Sequence, residues 1–175
     1  MRVMALALLL FAGPVHAQPP EPEDPSVAQA RAHFDRGRQL AEERRFAEAA
    51  SAFEESRALV PRPSTTFNLA LCLFALGRHL DAIATLERFR VEADATVDES
   101  MRADAERMLA HARRSLATIE LEVVPAGAVI QVDGRAIEGE ARRSVQVDAG
   151  AHVVRAEAEG HAPALIEITV RSGER

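Results

Sequence analysis

Five histidines follow the first seventeen residues of this 175-residue chain: His33, His79, His111, His152 and His161. An imidazole can ligate a metal, shuttle a proton or activate a nucleophile, but each task needs partner groups close by. A zinc-type site needs several ligands at short, regular spacing. No two of these histidines stand at such spacing, so neither a metal nor a cofactor is expected. His152 and His161 could approach across neighbouring strands; both are otherwise read as surface histidines near turns. The single cysteine, Cys72, lies in the apolar run Leu69–Leu76, where a small buried hydrophobe is expected rather than a reactive thiol. The chain has no Ser-based elbow, no phosphate-binding glycine loop, no His-Glu-x-x-His and no EF-hand loop. It is therefore not expected to be an enzyme. Two features could bind. Arg142-Arg143 could contact an anion, such as a phosphate or a wall polymer. Phe67, Leu71 and Phe74 follow i, i+4, i+7 spacing on a helix that is apolar nearly all round.

Composition narrows the partners. Hydrophobic residues make up 47%, enough for packed cores, while aromatics are 4% with no Trp or Tyr. That leaves few rings for stacking bases or sugars. The net charge is −6, and every basic residue is Arg. An acidic chain without a basic stripe does not suit nucleic acid.

The N-terminus reads as an address. Met1-Arg2 is followed by the unbroken apolar run Val3–Ala12, a Gly13-Pro14 break, and small residues at Val15 and Ala17. This is a secretory signal peptide over 1–17, cleaved between Ala17 and Gln18. Its apolar run is about half of the ~20 residues that span a bilayer, and no later segment is long enough. The Pro-rich acidic stretch 18–25 is a linker. Residues 26–117 then show helical spacing in about five helices, and 118–171 alternate as short strands. The expected fold class is α+β: all-α helix-turn-helix repeats followed by a small all-β sandwich.

The helices repeat. Arg45-Phe46-Ala47-Glu48-Ala49-Ala50 aligns with Arg78-His79-Leu80-Asp81-Ala82-Ile83, which pairs Ala49 with Ala82 and Phe53 with Leu86. Thr96-Val97-Asp98-Glu99 has the form of a capping box for the fifth helix. With Gly37, Leu40 and Pro61 in the first unit and Leu69, Ala70, Leu73 and Gly77 in the second, this half resembles the tetratricopeptide repeat family. The resemblance implies a groove lined by the first helix of each unit. Its candidate residues are Arg31, Phe34 and Arg38 from one helix and Phe67, Asn68, Leu71 and Phe74 from the next. That stripe is either open to a peptide or covered by the fifth helix or the β-half. In the second half, Pro125-Ala126-Gly127-Ala128 and Asp133-Gly134, followed by Ala149-Gly150-Ala151-His152 and Glu159-Gly160-His161, resemble the PEGA domain family. That likeness implies a small envelope-associated β-domain without catalytic activity. The function these readings imply is a scaffold of the cell envelope, periplasmic or envelope-associated, holding a protein or peptide partner. The alternative is a module that reads wall polysaccharide through the β-domain.

Overall fold

The computed structural model describes residues 24–95, 97–125, 127–138 and 142–175, and for Arg142 the backbone alone. The expected leader and its cleavage point at Ala17 and Gln18 lie outside the described residues. Five helices precede six strands: α1 (Pro25–Glu42), α2 (Phe46–Leu59), α3 (Pro63–Ala75), α4 (His79–Glu92), α5 (Glu99–Ser115), then β1 (Ala117–Glu122), β2 (Val129–Val132), β3 (Arg135–Ile137), β4 (Arg142–Val147), β5 (Gly150–Glu157) and β6 (Ala164–Val170). The architecture is α+β, as expected. No helix among the described residues is long and apolar enough to cross a membrane.

Local chemistry sets the helix ends. Pro25 opens α1, whose first turn is capped by the Asp24 carboxylate accepting from the Ser26 N–H at 2.8 Å. Pro63 opens α3 in the same position. The cap of α5 is Asp98, which accepts from the Ser100 N–H; Thr96, where the capping-box pattern begins, lies outside the described residues.

The two helix pairs correspond in their local geometry, as a helical repeat would. α2 and α4 start 33 residues apart, at Phe46 and His79. The Arg just before each start bonds the acid three residues on: Arg45 Nε to Glu48 at 2.7 Å, Arg78 Nε to Asp81 at 2.8 Å. The inter-helix turns also correspond. Arg44 and Gly77 occupy the same place, both with left-handed φ, at 61° and 73°. Each turn closes with the same pair of bonds, Arg44 N to Ala41 O and Arg45 N to Leu40 O in the first, Gly77 N to Phe74 O and Arg78 N to Leu73 O in the second.

Packing explains the small residues. Ala49, Ala82 and Ala70 have no exposed surface, nor do Phe53 and Leu86. A Cβ at Gly37 would sit 2.7 Å from Phe53 Cε1, so glycine is the residue that admits this ring between α1 and α2. One core joins α1, α2 and α3 around Phe53 and Leu73; a second joins α3, α4 and α5 around Phe89, Leu86 and Leu109. α3 thus belongs to both, which accounts for its apolar circumference. Two buried polar links cross between helices: Ser56 Oγ donates to the Ala30 carbonyl, and Thr66 Oγ1 donates to the Glu92 carboxylate at 2.5 Å.

The strands form two antiparallel sheets, β3-β2-β5-β6 and β1-β4, facing each other across Ile130, Val132, Val154, Ile119 and Val147. Asp133-Gly134 makes the two-residue hairpin expected of it, both residues at positive φ. That hairpin creates β3, a strand absent from the five-strand reading. The C-terminal residues return to the helix–strand junction: the Thr118 N–H donates to Glu174 O at 2.8 Å, and Ser172 Oγ donates to Ser115 O at 3.1 Å. Leu116 and Ala117, at this junction, are buried.

Candidate functional site

The residues singled out from the sequence fall into two sets. On α1, Arg31 and Arg38 are exposed and Phe34 is half-buried, its ring edge-on to Phe53 at 5.6 Å. Arg38 stands 3.8 Å from Glu42 one turn on. On α3, Asn68 is partly exposed and donates to the Ser64 carbonyl, and Leu71 is 41% exposed. Phe67 instead enters the core against Phe89 at 5.5 Å. Phe74 is half-buried between the rings of His79 and His111, each at 5.1 Å. α4 and α5 therefore cover part of the expected stripe, while Leu71 and Asn68 stay on the uncovered side.

Arg31 and Phe34 also line a cleft of about 80 Å³ whose opposite wall is the start of α3, with Arg62, Ser64 and Thr65. Val27 and Val60 complete an apolar floor. The cleft is small for a folded ligand but suited to one side chain of an extended segment. The arginines give it a positive rim.

A second recess of about 190 Å³ lies where the β-half meets α4, between Leu80 and Asp81 on one side and Asp133, Arg135, Asp148 and His152 on the other. Asp148 Oδ1 accepts from the Leu80 N–H at 3.0 Å. Arg78, the residue before α4, offers no side-chain cap of its own, so the β4–β5 turn caps this helix from outside. His152 is 8% exposed, not a surface residue. Its Nδ1 donates to the Asp133 carboxylate at 2.6 Å and its Nε2 to the Asp148 carbonyl at 2.8 Å. Both partners are acceptors, so the arrangement suits the doubly protonated ring. Burial is the largest influence on His152 and opposes its charge, but the bonds to Asp133 and Asp148 outweigh it and raise the pKa. The same bond, with one from the Val153 N–H, holds the Asp133 carboxyl below its usual range. Strand alternation could have located His152, which shares its face with Val154. His161 does not join it; its Nδ1 donates to the Glu159 carbonyl.

Arg143 reaches across the sandwich and donates to the Ile137 carbonyl at 2.6 Å and the Ala128 carbonyl at 3.4 Å. Its neighbour Arg142 is described in backbone only, as part of β4. Cys72 is buried, and that burial pushes its thiol up to about 11. Among the described residues no group of three or more His, Cys, Asp or Glu is placed to hold a metal ion.

No curated protein and no solved structure matches the chain. The five helices are compatible with a helical repeat, although no tetratricopeptide family match accompanies them. Residues 116–175, the whole six-stranded half with its returning C-terminal segment, match the PEGA domain family.

Proposed function

We propose that this chain is a non-enzymatic scaffold of the bacterial cell envelope that holds a protein or peptide partner on the α1–α3 side of its helical half. The observation that carries this reading is Leu71. It projects from a helix whose Phe67, Leu69 and Leu73 are buried in two cores, and it is 41% exposed. Asn68, one turn before it on the same helix, is partly exposed, and Arg31 and Arg38 are exposed on α1. An apolar knob on α3 together with exposed arginines on α1 suits an extended segment carrying an apolar anchor and acidic flanks. The PEGA match supports a setting outside the cytoplasm, in keeping with the exported, periplasmic or envelope-associated location expected from the N-terminus. The β-half would then act as a fixed platform, joined to the helices through Ser115, Leu80 and their partners. The wall-polymer alternative has less support, because Arg143 is already committed to two backbone carbonyls.

The test is affinity capture from an envelope extract, using the chain and a Leu71→Arg, Arg38→Glu variant of unchanged circular dichroism. Both positions are exposed, so the fold should tolerate the changes. A protein enriched on the first bait and lost on the second supports the scaffold reading. Identical capture by both, or none by either, removes it.

A further inference from the structure

No hydrophobic core holds the helical half and the β-half together. Two cores lie among the helices and one among the strands, and none mixes the two. Among the described residues, hydrogen bonds join the halves at two places. One is the chain junction, where Ser172 Oγ and the Gly173 N–H donate to the Ser115 carbonyl. The other lies between the β4–β5 turn and the start of α4, where the Leu80 N–H donates to Asp148 Oδ1 at 3.0 Å. Domains move relative to each other unless a large apolar interface prevents it. The angle between these halves therefore depends on Asp148 staying at the start of α4.

The ring of His152 holds Asp148 there. Its Nε2 donates to the Asp148 carbonyl at 2.8 Å and its Nδ1 to the Asp133 carboxylate at 2.6 Å. Both partners only accept, so the two bonds coexist only while the ring carries two protons. Once one proton leaves, the remaining N–H stays with the charged carboxylate, the stronger acceptor. The Nε2 lone pair then faces the lone pairs of the Asp148 carbonyl, and attraction becomes repulsion at the residue that caps α4. The surroundings favour the charged ring. Asp133, Asp148 and, from α4, Asp81 line the recess around it, with Arg135 from β3 as the cation. Asp81 is itself paired with Arg78. β4 offers the recess uncharged Val145, Gln146 and Val147, and β6 sets Ile168 opposite His152. The imidazole of His79, the residue before Leu80, packs edge-on to Phe74.

We propose that His152 is a proton-operated clasp between the two halves. With the ring doubly protonated, the Asp148 turn caps α4 and fixes the β-half against the helices. With the ring neutral, the turn lets go of α4 and the β-half swings about the Ser115 junction. The clasp is closed at acidic pH and opens as pH rises. The His152 pKa is raised above its ordinary value of 6.5, so the opening falls above that pH.

The experiment uses the whole chain, in the form left after any leader removal, with spin labels at two exposed positions, Glu54→Cys on α2 and Leu165→Cys on β6. The native Cys72 is buried and stays unlabelled. From about pH 5.5 to about pH 9, a range in which imidazoles titrate and carboxylates stay charged, the label-to-label distance broadens from one narrow peak. Over the same range the Leu80 amide loses about tenfold of its protection from hydrogen exchange. Both changes follow the midpoint of the His152 ring signals. His152→Gln, which cannot gain the charge but keeps His79, shows no transition. Asp148→Ala keeps the carbonyl that His152 bonds, so the ring still titrates, yet the distances are broad at every pH. A distance distribution that is the same at both ends of the range overturns the proposal. So does a transition that persists in His152→Gln, which would assign it to another group such as His79, or an Asp148→Ala chain that narrows on acidification like the parent.

Discussion

Gly37→Ala is the most informative change in the helical half. The added Cβ would lie 2.7, 2.8 and 3.0 Å from three carbons of the Phe53 ring. Carbon atoms pack at about 3.5–4.0 Å, so the ring must retreat by almost an ångström. Phe53 is fully buried, so the ring has no open space to retreat into. Overpacking of this kind costs about 1–3 kcal/mol, and three close contacts argue for the upper part of that range. Alanine recovers up to ~1 kcal/mol of helix propensity. The net loss is about 1–2 kcal/mol, or roughly 5–15 °C in Tm for a unit of this size. Thermal melting by far-UV circular dichroism reads it, with Gly127→Ala as control, where an added Cβ meets nothing within 4 Å. The second helix pair supplies a sharper arm. At the corresponding positions it carries Ala70 and Leu86, both fully buried. Gly37→Ala with Phe53→Leu recreates that pair in the first unit. The double variant should therefore lose less stability than the sum of the two single variants. A Gly37→Ala protein as stable as the parent, or a double variant that is simply additive, would refute the argument that Gly37 is there to admit Phe53.

Three further predictions follow from named contacts. Arg44→Gly should raise stability by about 0.5–1 kcal/mol, because Arg44 holds a left-handed φ that its counterpart Gly77 adopts freely; a urea titration measures the shift in midpoint. The His152–Asp133 pair should make stability pH-dependent. The raised His152 pKa contributes stability that is fully present below its unfolded value, near 6.5, and is lost as pH rises through the folded one. The lowered Asp133 pKa contributes stability present above its unfolded value and lost as pH falls through the folded one. The difference in Tm between the parent and His152→Leu should be largest between about pH 4 and 6.5, and a difference that is flat from acid to alkaline pH would count against the pair. Cys72 should resist thiol reagents in the folded protein and react on unfolding, since its thiol is buried and pushed up to about 11; labelling at the same rate with and without denaturant would contradict its position.

Periodicity carried much of the fold. Ala49 with Ala82 and Phe53 with Leu86 placed the helix pairs in register because helix contacts recur at fixed spacing. Asp133-Gly134 announced its hairpin because few residue pairs accept two positive φ angles. β3 was missed because three residues, Arg-Ala-Ile, are too short to show alternation. Asp98 was missed as a cap because the Thr96 box competed for the same turn. The roles of Phe67 and Phe74 were hidden for another reason. α3 is apolar all round, and which side is covered depends on α4 and α5, which lie far along the chain. The Asp148–Leu80 bond spans 68 residues and leaves no local trace. His152 was readable in principle: its place on the inward face follows from Val154 two residues later, but its nearness to a turn suggested exposure.

The scaffold reading is tested most directly by photo-cross-linking in the cell envelope from position 71, with a photoreactive residue replacing Leu71, beside the same residue replacing the exposed Glu54 on α2. The expected result is a discrete cross-linked partner from position 71 and none from position 54. No adduct from position 71, or the same adducts from both positions, would contradict a binding face between α1 and α3.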